Sequence, residues 1–237
     1  CLQFSVYDLS ASGQCKPNDY FWIMEQNELK ILAQNLANPQ GEKGIEIGEM
    51  MNATNIGMTL ESIKTLLIEN DEHILEIGHG NAGHLKSILN KAKNVKYTGI
   101  DISETMHHEA KKLNKEFESQ SDFVLYEGQK LPFEDKVFDK IFTVNTVYFW
   151  EESIDFLNEI YRVLKNSGTF VLTFGQRDFM EKLPFTQYNF KLYNNDEMEE
   201  LISKSLFKRM KISEREEEIK SKNEVESIER NYTDLTI

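Results

Sequence analysis

The stretch HILEIGHGNAGHL, residues 73–85, decides the fold of this chain. Its first half is an apolar run, residues 74–77, that holds a single acid, Glu76. The run leads into glycines at 78, 80 and 83, which gives the spacing G-x-G-x-x-G. An apolar strand that enters a glycine-rich turn and then a helix is typical of a dinucleotide-binding βα unit. The question is whether this turn holds a dinucleotide, another nucleotide-like cofactor, or nothing.

Short apolar strands alternate with helical patterns from residue 73 onward. Strands are predicted at 73–77, 95–100, 122–126, 140–144 and 169–174. The helix that begins near Ile154 is expected to stop at Asn166-Ser167-Gly168. Two polar, alternating stretches, about 207–219 and 225–236, favour an antiparallel hairpin, while a charged helix over 211–230 competes. The sequence therefore predicts an α/β fold, a doubly wound, Rossmann-like seven-stranded sheet whose last strand pair is antiparallel.

The region before residue 71 is predicted to be an N-terminal helical lid, and residues 71–237 the cofactor-binding core. Residues 20–37 have helical spacing, and Pro39 ends that helix. Residues 40–58 carry four glycines and little periodicity, so they are predicted to be mostly loop. Thr59 is expected to cap a helix with Leu60, Ile63 and Leu67 on one face.

Composition narrows the possible partners and the cellular setting. The 237 residues include 27 Lys and Arg against 40 Asp and Glu, a net charge of −13. Because a nucleic-acid binder normally shows a basic patch, no nucleic-acid partner is expected. No apolar run approaches the roughly 20 residues of a membrane helix. Two cysteines, Cys1 and Cys15, argue against a disulfide framework, so a cytoplasmic location is expected. We further expect a monomer or homodimer and no membrane partner.

Two acids help to decide which cofactor the turn fits. Asp101 ends the second predicted strand, where it can accept both hydroxyls of a ribose, so NAD and S-adenosylmethionine both fit. Glu76 separates them, because a buried acid repels a pyrophosphate and suits an ammonium and a sulfonium. Glu127 follows the third strand, where it can accept a hydrogen bond from an adenine amino group.

Four sequence blocks carry a resemblance to a known family. They are LEIGHGNAG (75–83), YTGIDIS (97–103), EGQKLPFEDKVFD (127–139) and RVLKNSGTFVLTF (162–174). In this order the chain resembles the class I S-adenosylmethionine-dependent methyltransferases, in particular the small-molecule branch that includes the ubiquinone/menaquinone biosynthesis type. The resemblance implies transfer of a methyl group from S-adenosylmethionine to a small-molecule acceptor.

The resemblance also implies roles for individual residues. It places Glu76, Gly78 and Gly80 along the methionine portion of the cofactor, and Asp101 at the ribose. It places the adenine between Ile102 and Met106, with Glu127, Gly128 and Gln129 at its edge, and Asn145 under the transferable methyl. One departure is the third glycine, which the family places at position 82 and this chain has at Gly83. Glu127 also replaces the commoner Asp.

Further candidates come from the residues themselves. An in-line displacement needs mainly alignment and exclusion of water. His79, Tyr20 and Tyr148 are the candidates for a general base, and His79 is also a candidate for lining the cofactor pocket. Asn52 and Asn55 are predicted to contact cofactor or substrate, although a turn stabilised by their own side chains is the alternative.

The aromatic run after the fourth strand, residues 148–150, either lines a substrate pocket or packs against the next helix. The histidines at 79, 84, 107 and 108 lack companion ligands at metal-binding spacing, so no metal is predicted.

Two other functions remain open at the level of sequence. One is an NAD(P)-dependent oxidoreductase, which the glycine spacing alone favours. The other is a non-catalytic cofactor-binding or partner protein of the same fold. Titration with S-adenosylmethionine, S-adenosylhomocysteine and NAD(H) separates the first, and a test for turnover separates the second.

Overall fold

The computed structural model describes residues 25–208, 210–220 and 227–237. The α-helices are α1 (Gln26–Ala37), α2 (Gly41–Thr65), α3 (Leu85–Leu89), α4 (Glu104–Leu113), α5 (Ser153–Val163), α6 (Arg177–Met180) and α7 (Asn195–Ser203). The strands are β1 (His73–Ile77), β2 (Lys96–Asp101), β3 (Ser121–Leu125), β4 (Phe138–Val144), β5 (Leu164–Gly175), β6 (Lys211–Lys220) and β7 (Ser227–Thr236). Single 3-10 turns lie at Lys115–Phe117, Val147–Phe149 and Pro184–Gln187.

The seven strands form one sheet in the order β3-β2-β1-β4-β5-β7-β6. The pairs among β1 to β5 are parallel, whereas β7 is antiparallel to both β5 and β6. The predicted doubly wound sheet with an antiparallel last pair is therefore confirmed, and the hairpin is correct over the competing helix. Strand order reverses between β1 and β4, which is where ligands bind in such sheets.

Apolar side chains cover both faces of this sheet. One buried cluster includes Leu75, Ile141 and Phe170 and packs under α5. A second includes Ile74, Tyr97 and Phe142 and packs under α3 and α4. The short parallel strands are apolar on both sides for this reason. Within the described ranges, no helix is long and apolar enough to cross a membrane.

The prediction of a loop over 40–58 is wrong. Residues 41–58 belong to α2, which runs from Gly41 to Thr65, so Thr59 lies inside a helix and does not cap one. Of the three residues predicted to share a face, Ile63 is buried, but Leu60 and Leu67 are exposed. The glycines of this helix are contact points, because a Cβ at Gly48 would lie 2.5 Å from the sulfur of Met106.

Two other boundaries differ from the prediction. Helix α5 ends at Val163, and Leu164 already begins β5, so Asn166-Ser167-Gly168 lies within a strand. The register between β4 and β5 shifts near Phe138, which accommodates this early start. After β2, Ser103 caps α4, because its side chain accepts a hydrogen bond from Met106 N–H.

Helix α2 is fixed to the core at both ends, by the start of α4 at its own start and by β5 at its end. Near its start, Ser103 Oγ donates to Pro39 O at 2.5 Å, and Gly41 N–H donates to Thr105 Oγ1 at 3.0 Å. Near its end, the hydroxyls of Ser62 and Thr173 lie 2.6 Å apart and are hydrogen-bonded. The helix therefore crosses over the carboxyl ends of the parallel strands, and the space beneath it is the candidate site.

Candidate functional site

A cavity lies between α2 and the carboxyl ends of β1, β2 and β4. Its lining combines the glycine-rich turn, polar side chains and an apolar wall. The glycine-rich turn and polar contributors include Asn52, Asn55, Thr59, Glu76, Gly78, His79, Gly80, Asn81, His84, Asp101, Gly128, Asn145 and Thr146, and the apolar and aromatic contributors include Leu36, Met51, Ile102, Met106, Tyr126, Val144, Phe149 and Trp150. Most of the site residues predicted from the sequence therefore meet in one place.

The turn between β1 and α3 depends on left-handed backbone conformations. Gly78 has φ of +76° and Gly80 has φ of +55°, values that glycine adopts without a Cβ penalty. A Cβ at Gly78 would also collide with the side chain of Thr146, whereas a Cβ at Gly80 would meet nothing within 4 Å. Both glycines thus serve the turn, and Gly78 additionally allows β4 to approach.

The displaced third glycine has a structural explanation. Ala82, at the position where the family has glycine, is itself left-handed with φ of +49°. Gly83 has another purpose, because a Cβ there would lie 3.0 Å from Nδ2 of Asn52 and 3.3 Å from Oδ1 of Asn81. The glycine at 83 therefore gives room for α2 to press Asn52 against the turn.

The backbone amides of this turn are largely occupied. Gly78 N–H donates to Ile100 O at 2.8 Å, and Ala82 N–H donates to His79 O at 2.9 Å. Side chains take two more, since Gly80 N–H donates to Asp101 and Gly83 N–H to Asn81. A phosphate-binding turn instead presents free N–H groups to its ligand.

Glu76 is a buried carboxylate with two donors. Its Oε2 accepts hydrogen bonds from His84 Nε2 at 2.8 Å and from the Tyr97 hydroxyl at 2.5 Å. Burial, followed by the charge and hydrogen bond of Glu76, raises the pKa of Tyr97 well above its ordinary value, so this hydroxyl stays protonated as a donor. The acid that the sequence singles out is therefore held in place from one side while it lines the cavity.

Asp101 closes the turn from the end of β2. Its Oδ2 accepts from Gly80 N–H at 2.9 Å, and its Oδ1 accepts from Ser103 N–H at 2.9 Å. The side chain is buried, and the residue lines the cavity. Each carboxylate oxygen has a second acceptor site, so the orientation imposed by these amides leaves capacity for a ligand hydroxyl.

The residues expected around an adenine divide into two groups. Ile102, Met106 and Gly128 line the cavity together with Tyr126. Glu127 and Gln129 are exposed and do not belong to the lining, and Gln129 Nε2 makes only a long hydrogen bond of 3.4 Å to Glu151. Of residues 127–129, only Gly128 therefore faces the cavity.

Asn145 has a left-handed backbone, with φ of +57°, after β4. Its Oδ1 accepts from Gly175 N–H at 3.1 Å and from the Tyr148 hydroxyl at 3.0 Å, and its Nδ2 lies 3.5 Å from the sulfur of Met58. Tyr148 is buried outside the lining, and burial raises its pKa well above the ordinary value. Of the aromatic run, only Phe149 and Trp150 face the cavity.

Of the other two candidates for a general base, one lies at the cavity and one lies outside the described residues. His79 is buried at the cavity, its Nδ1 lies 2.6 Å from Gly80 O, and its Nε2 has no hydrogen-bond partner among the described residues. Because a carbonyl only accepts, the proton of a neutral His79 is assigned to Nδ1. Tyr20 lies outside the described residues.

The charge of the cavity is one-sided. Glu76 and Asp101 line it, and the part of the chain that the structure describes contributes no Lys or Arg to the lining. Across residues 25–208, 210–220 and 227–237, no group of three or more His, Cys, Asp or Glu could hold a metal ion. The donor set therefore suits a ligand that carries positive charge and hydroxyls.

Comparison with known proteins points to the same chemistry. The family profile described as a methyltransferase domain matches residues 75–172. YrhH of Bacillus subtilis (strain 168), whose name describes a methyltransferase, is 32% identical over 111 residues, which is 47% of this chain and 62% of YrhH. The fatty-acid O-methyltransferase of Mycolicibacterium smegmatis is 28% identical over 102 residues, 43% of this chain and 36% of that protein.

The fold has close counterparts among solved structures. A SAM-dependent methyltransferase from Aquifex aeolicus aligns with a TM-score of 0.55 at 19% identity, over 90% of this chain and 99% of that one. Residues 75–172 match a methyltransferase-domain family, and the fold is that of class I S-adenosylmethionine-dependent methyltransferases. S-adenosylmethionine is the cofactor of this family, as predicted, whereas the ubiquinone/menaquinone branch is not singled out by these relatives. Nothing in the comparisons supports an oxidoreductase.

Several contributors to this cavity could not be identified from the sequence. Tyr97 lies within a strand, and nothing in its local pattern marks it as the partner of Glu76. Thr146 becomes important only because β4 brings it against Gly78. Asn81 and His84 had a signal in their place beside the turn glycines, since residues next to such glycines face the ligand.

Proposed function

We propose that this chain transfers a methyl group from S-adenosylmethionine to a small-molecule acceptor by in-line displacement. One observation carries the proposal: the cavity offers two buried carboxylates, Glu76 and Asp101, and no Lys or Arg among its described lining residues. An ammonium, a sulfonium and a ribose match these acceptors, whereas a pyrophosphate would meet like charge in a turn whose amides are already used.

The assignment of roles follows the geometry. Glu76 would hold the ammonium, Asp101 the ribose hydroxyls, and Ile102 and Met106 the adenine, with Glu127 and Gln129 at the exposed rim. The bound cofactor supplies a methyl carbon that its sulfonium already activates. The chain then has to align the acceptor, exclude water and place Asn145 beside the methyl.

Tyr148 fits a supporting role better than that of a general base. Its single hydroxyl proton is shared between Asn145 Oδ1 and Gly175 O, each 3.0 Å from the hydroxyl oxygen, and its raised pKa keeps that proton in place. We propose that it orients Asn145. His79 is the remaining base candidate among the described residues, and an acceptor that is already nucleophilic needs no base.

Residues 1–70 are proposed to be the lid over this cavity. Its described helices α1 and α2 supply Leu36, Met51 and Asn52 to the lining. Leu36 and Met51 form an apolar wall together with Phe149 and Trp150, which favours an acceptor with an apolar body. The similarity to a fatty-acid O-methyltransferase supports the same class. We further propose a cytoplasmic enzyme, monomeric or homodimeric, that does not act on nucleic acid.

A thermal-shift experiment tests the proposal. S-adenosylmethionine and S-adenosylhomocysteine at about 100 times Kd should each stabilise the chain by about 2.7 kcal/mol, and NAD(H) should not. D101N should weaken both ligands about tenfold or more, since a hydrogen bond to a charged group is lost. D122N, the same change at an exposed residue of β3, is the matched control.

Two results would count against this function. A shift with NAD(H) alone would remove the cofactor assignment. Binding of S-adenosylmethionine without release of S-adenosylhomocysteine in the presence of small-molecule acceptor pools would favour the non-catalytic alternative.

A further inference from the structure

Arg230 is a buried cation in β7 that reaches across to the lid helix. It is 5% exposed, and its Nε donates to Glu217 Oε1 of β6 at 2.7 Å. Its Nη1 donates to Asn55 Oδ1 and its Nη2 to Thr54 O, each at 2.8 Å. The Arg230–Glu217 ion pair thus connects the C-terminal hairpin to the middle of α2.

Gly57 shows how close this approach is. A Cβ at position 57 would collide with the carboxylate of Glu217, so a larger residue there would push the ion pair away from its present place against the helix. The contact is therefore a built feature of the helix–hairpin interface.

The contact fixes which way the Asn55 amide faces. A guanidinium has donors only, so the atom of Asn55 that it contacts must be the carbonyl oxygen. Asn55 also lines the cavity. The amide nitrogen, which can only donate, is therefore the polar group that Asn55 has left for a ligand.

The proposed cofactor has one group that the site has not yet accommodated. Its α-carboxylate needs donors, and the cavity lining of the described chain has no Lys or Arg. The amides of Gly78, Gly80, Ala82 and Gly83 are already used. Nδ2 of Asn145 faces the sulfur of Met58. Asn55 Nδ2 is a lining donor whose orientation is fixed from behind.

We propose that Asn55 binds the α-carboxylate of the cofactor through Nδ2, and that Arg230 is the positioning residue that holds its amide in this orientation. The inference rests on the proposed use of S-adenosylmethionine. It assigns to a hairpin residue a part in cofactor binding, although that residue does not touch the cavity.

Isothermal titration calorimetry with two ligands tests it. S-adenosylmethionine and decarboxylated S-adenosylmethionine differ only in the carboxylate. N55D keeps an acceptor for Arg230 but turns an oxygen towards the cavity in place of the donor. It should weaken S-adenosylmethionine about tenfold or more and change the decarboxylated ligand less than about twofold.

R230K gives an independent test through the positioning residue. A lysine cannot bind Asn55, Thr54 and Glu217 together in a fixed fork, so the amide is freed to turn. S-adenosylmethionine should again weaken more than the decarboxylated ligand. N90D, which makes the same substitution as N55D at an exposed residue after α3, is the control for N55D and should alter neither affinity.

The outcomes separate this inference from the proposed function. If the wild-type chain binds neither ligand, the proposed function fails with it. If the wild type binds S-adenosylmethionine but N55D and R230K weaken both ligands equally, or neither, only the roles of Asn55 and Arg230 are overturned. Failure of a variant to fold is detected independently of binding, by loss of its cooperative thermal unfolding transition, and the other variant then decides.

Discussion

Two glycines of the β1–α3 turn share a left-handed backbone but differ in their surroundings. We predict that both G78A and G80A lower the free energy of unfolding, because alanine in this conformation costs about 1–2 kcal/mol. G78A should cost clearly more, since its new methyl group also collides with Thr146, whereas position 80 faces open space. Urea unfolding of both variants and the wild type measures the difference.

Equal losses for the two variants would show that the Thr146 contact relaxes without cost. A smaller loss for G78A than for G80A would contradict the packing described for β4. Because the comparison is between two alanines in the same turn, the entropy of the unfolded chain cancels.

For single residues, the sequence shows which acids are unusual more readily than it shows which residues contact each other in the fold. Glu76 and Asp101 could be recognised because an acid inside or at the end of an apolar strand is unusual. The contact of Arg230 with Asn55 could not, because these residues are 175 positions apart and each has an ordinary local context. The same holds for Gly83, whose reason is Asn52 on another helix.

The helix α2 shows why glycine content misled the prediction for 40–58. Glycines at 44, 48 and 57 sit where a Cβ would meet Pro39, Met106 and Glu217. Glycine weakens a helix by about 1 kcal/mol relative to Ala, and close packing offsets that cost here. In a single sequence, a glycine needed for contact and a glycine in a loop look the same.

Helix α5 holds the loop at residues 131–135 (LPFED) in place through one arginine, Arg162. Arg162 Nη1 donates to Phe133 O at 2.8 Å, its Nη2 donates to Leu131 O at 3.0 Å, and Glu159 receives two of its other donors. The Arg162 guanidinium beside Glu159 holds the pKa of that carboxyl below its ordinary value. Arg162 and Glu159 thus attach the connection between Gly128 and β4 to helix α5.

This gives a pH-dependent prediction for the α5–loop contact. Because the folded-state pKa of Glu159 is lowered, its contribution is present above the unfolded pKa and is lost as the pH falls through the folded value. E159Q should therefore lower the free energy of unfolding at pH 7. Because the ion pair is partly solvated, the loss should be at most about 1 kcal/mol, and it should shrink below about pH 4.

Urea unfolding of the wild type and E159Q across that pH range checks the prediction. E116Q, the same change at an exposed acid, is the control and should show a smaller effect. A deficit of E159Q that grows as the pH falls would have the wrong sign and would remove the ion pair as its cause.

For the whole molecule, the alternation of strands and helices predicted the architecture because each parallel strand needs apolar residues on both faces. The seven-stranded sheet with an antiparallel last pair is confirmed, whereas its strand order, β3-β2-β1-β4-β5-β7-β6, comes from the structure alone. The helices α1 and α2 were less accessible to prediction, because they are defined by what they contact on the core rather than by a strong apolar period.

The charge of the whole molecule gives a last prediction. The net charge of −13 and the two cavity carboxylates favour a cationic ligand. S-adenosylmethionine carries a net positive charge, and S-adenosylhomocysteine, which has lost the sulfonium, carries none.

Added salt screens such attraction, with a Debye length of about 30 Å at 0.01 M and about 3 Å at 1 M. Raising NaCl from low to high concentration should therefore weaken S-adenosylmethionine about two- to threefold and leave S-adenosylhomocysteine nearly unchanged. Calorimetric titration of both ligands at the same salt concentrations measures this. Equal salt dependence would show that the protein's field does not distinguish the cofactor from its product, and the match of charge that supports the cofactor assignment would then lie in Glu76 and Asp101 alone.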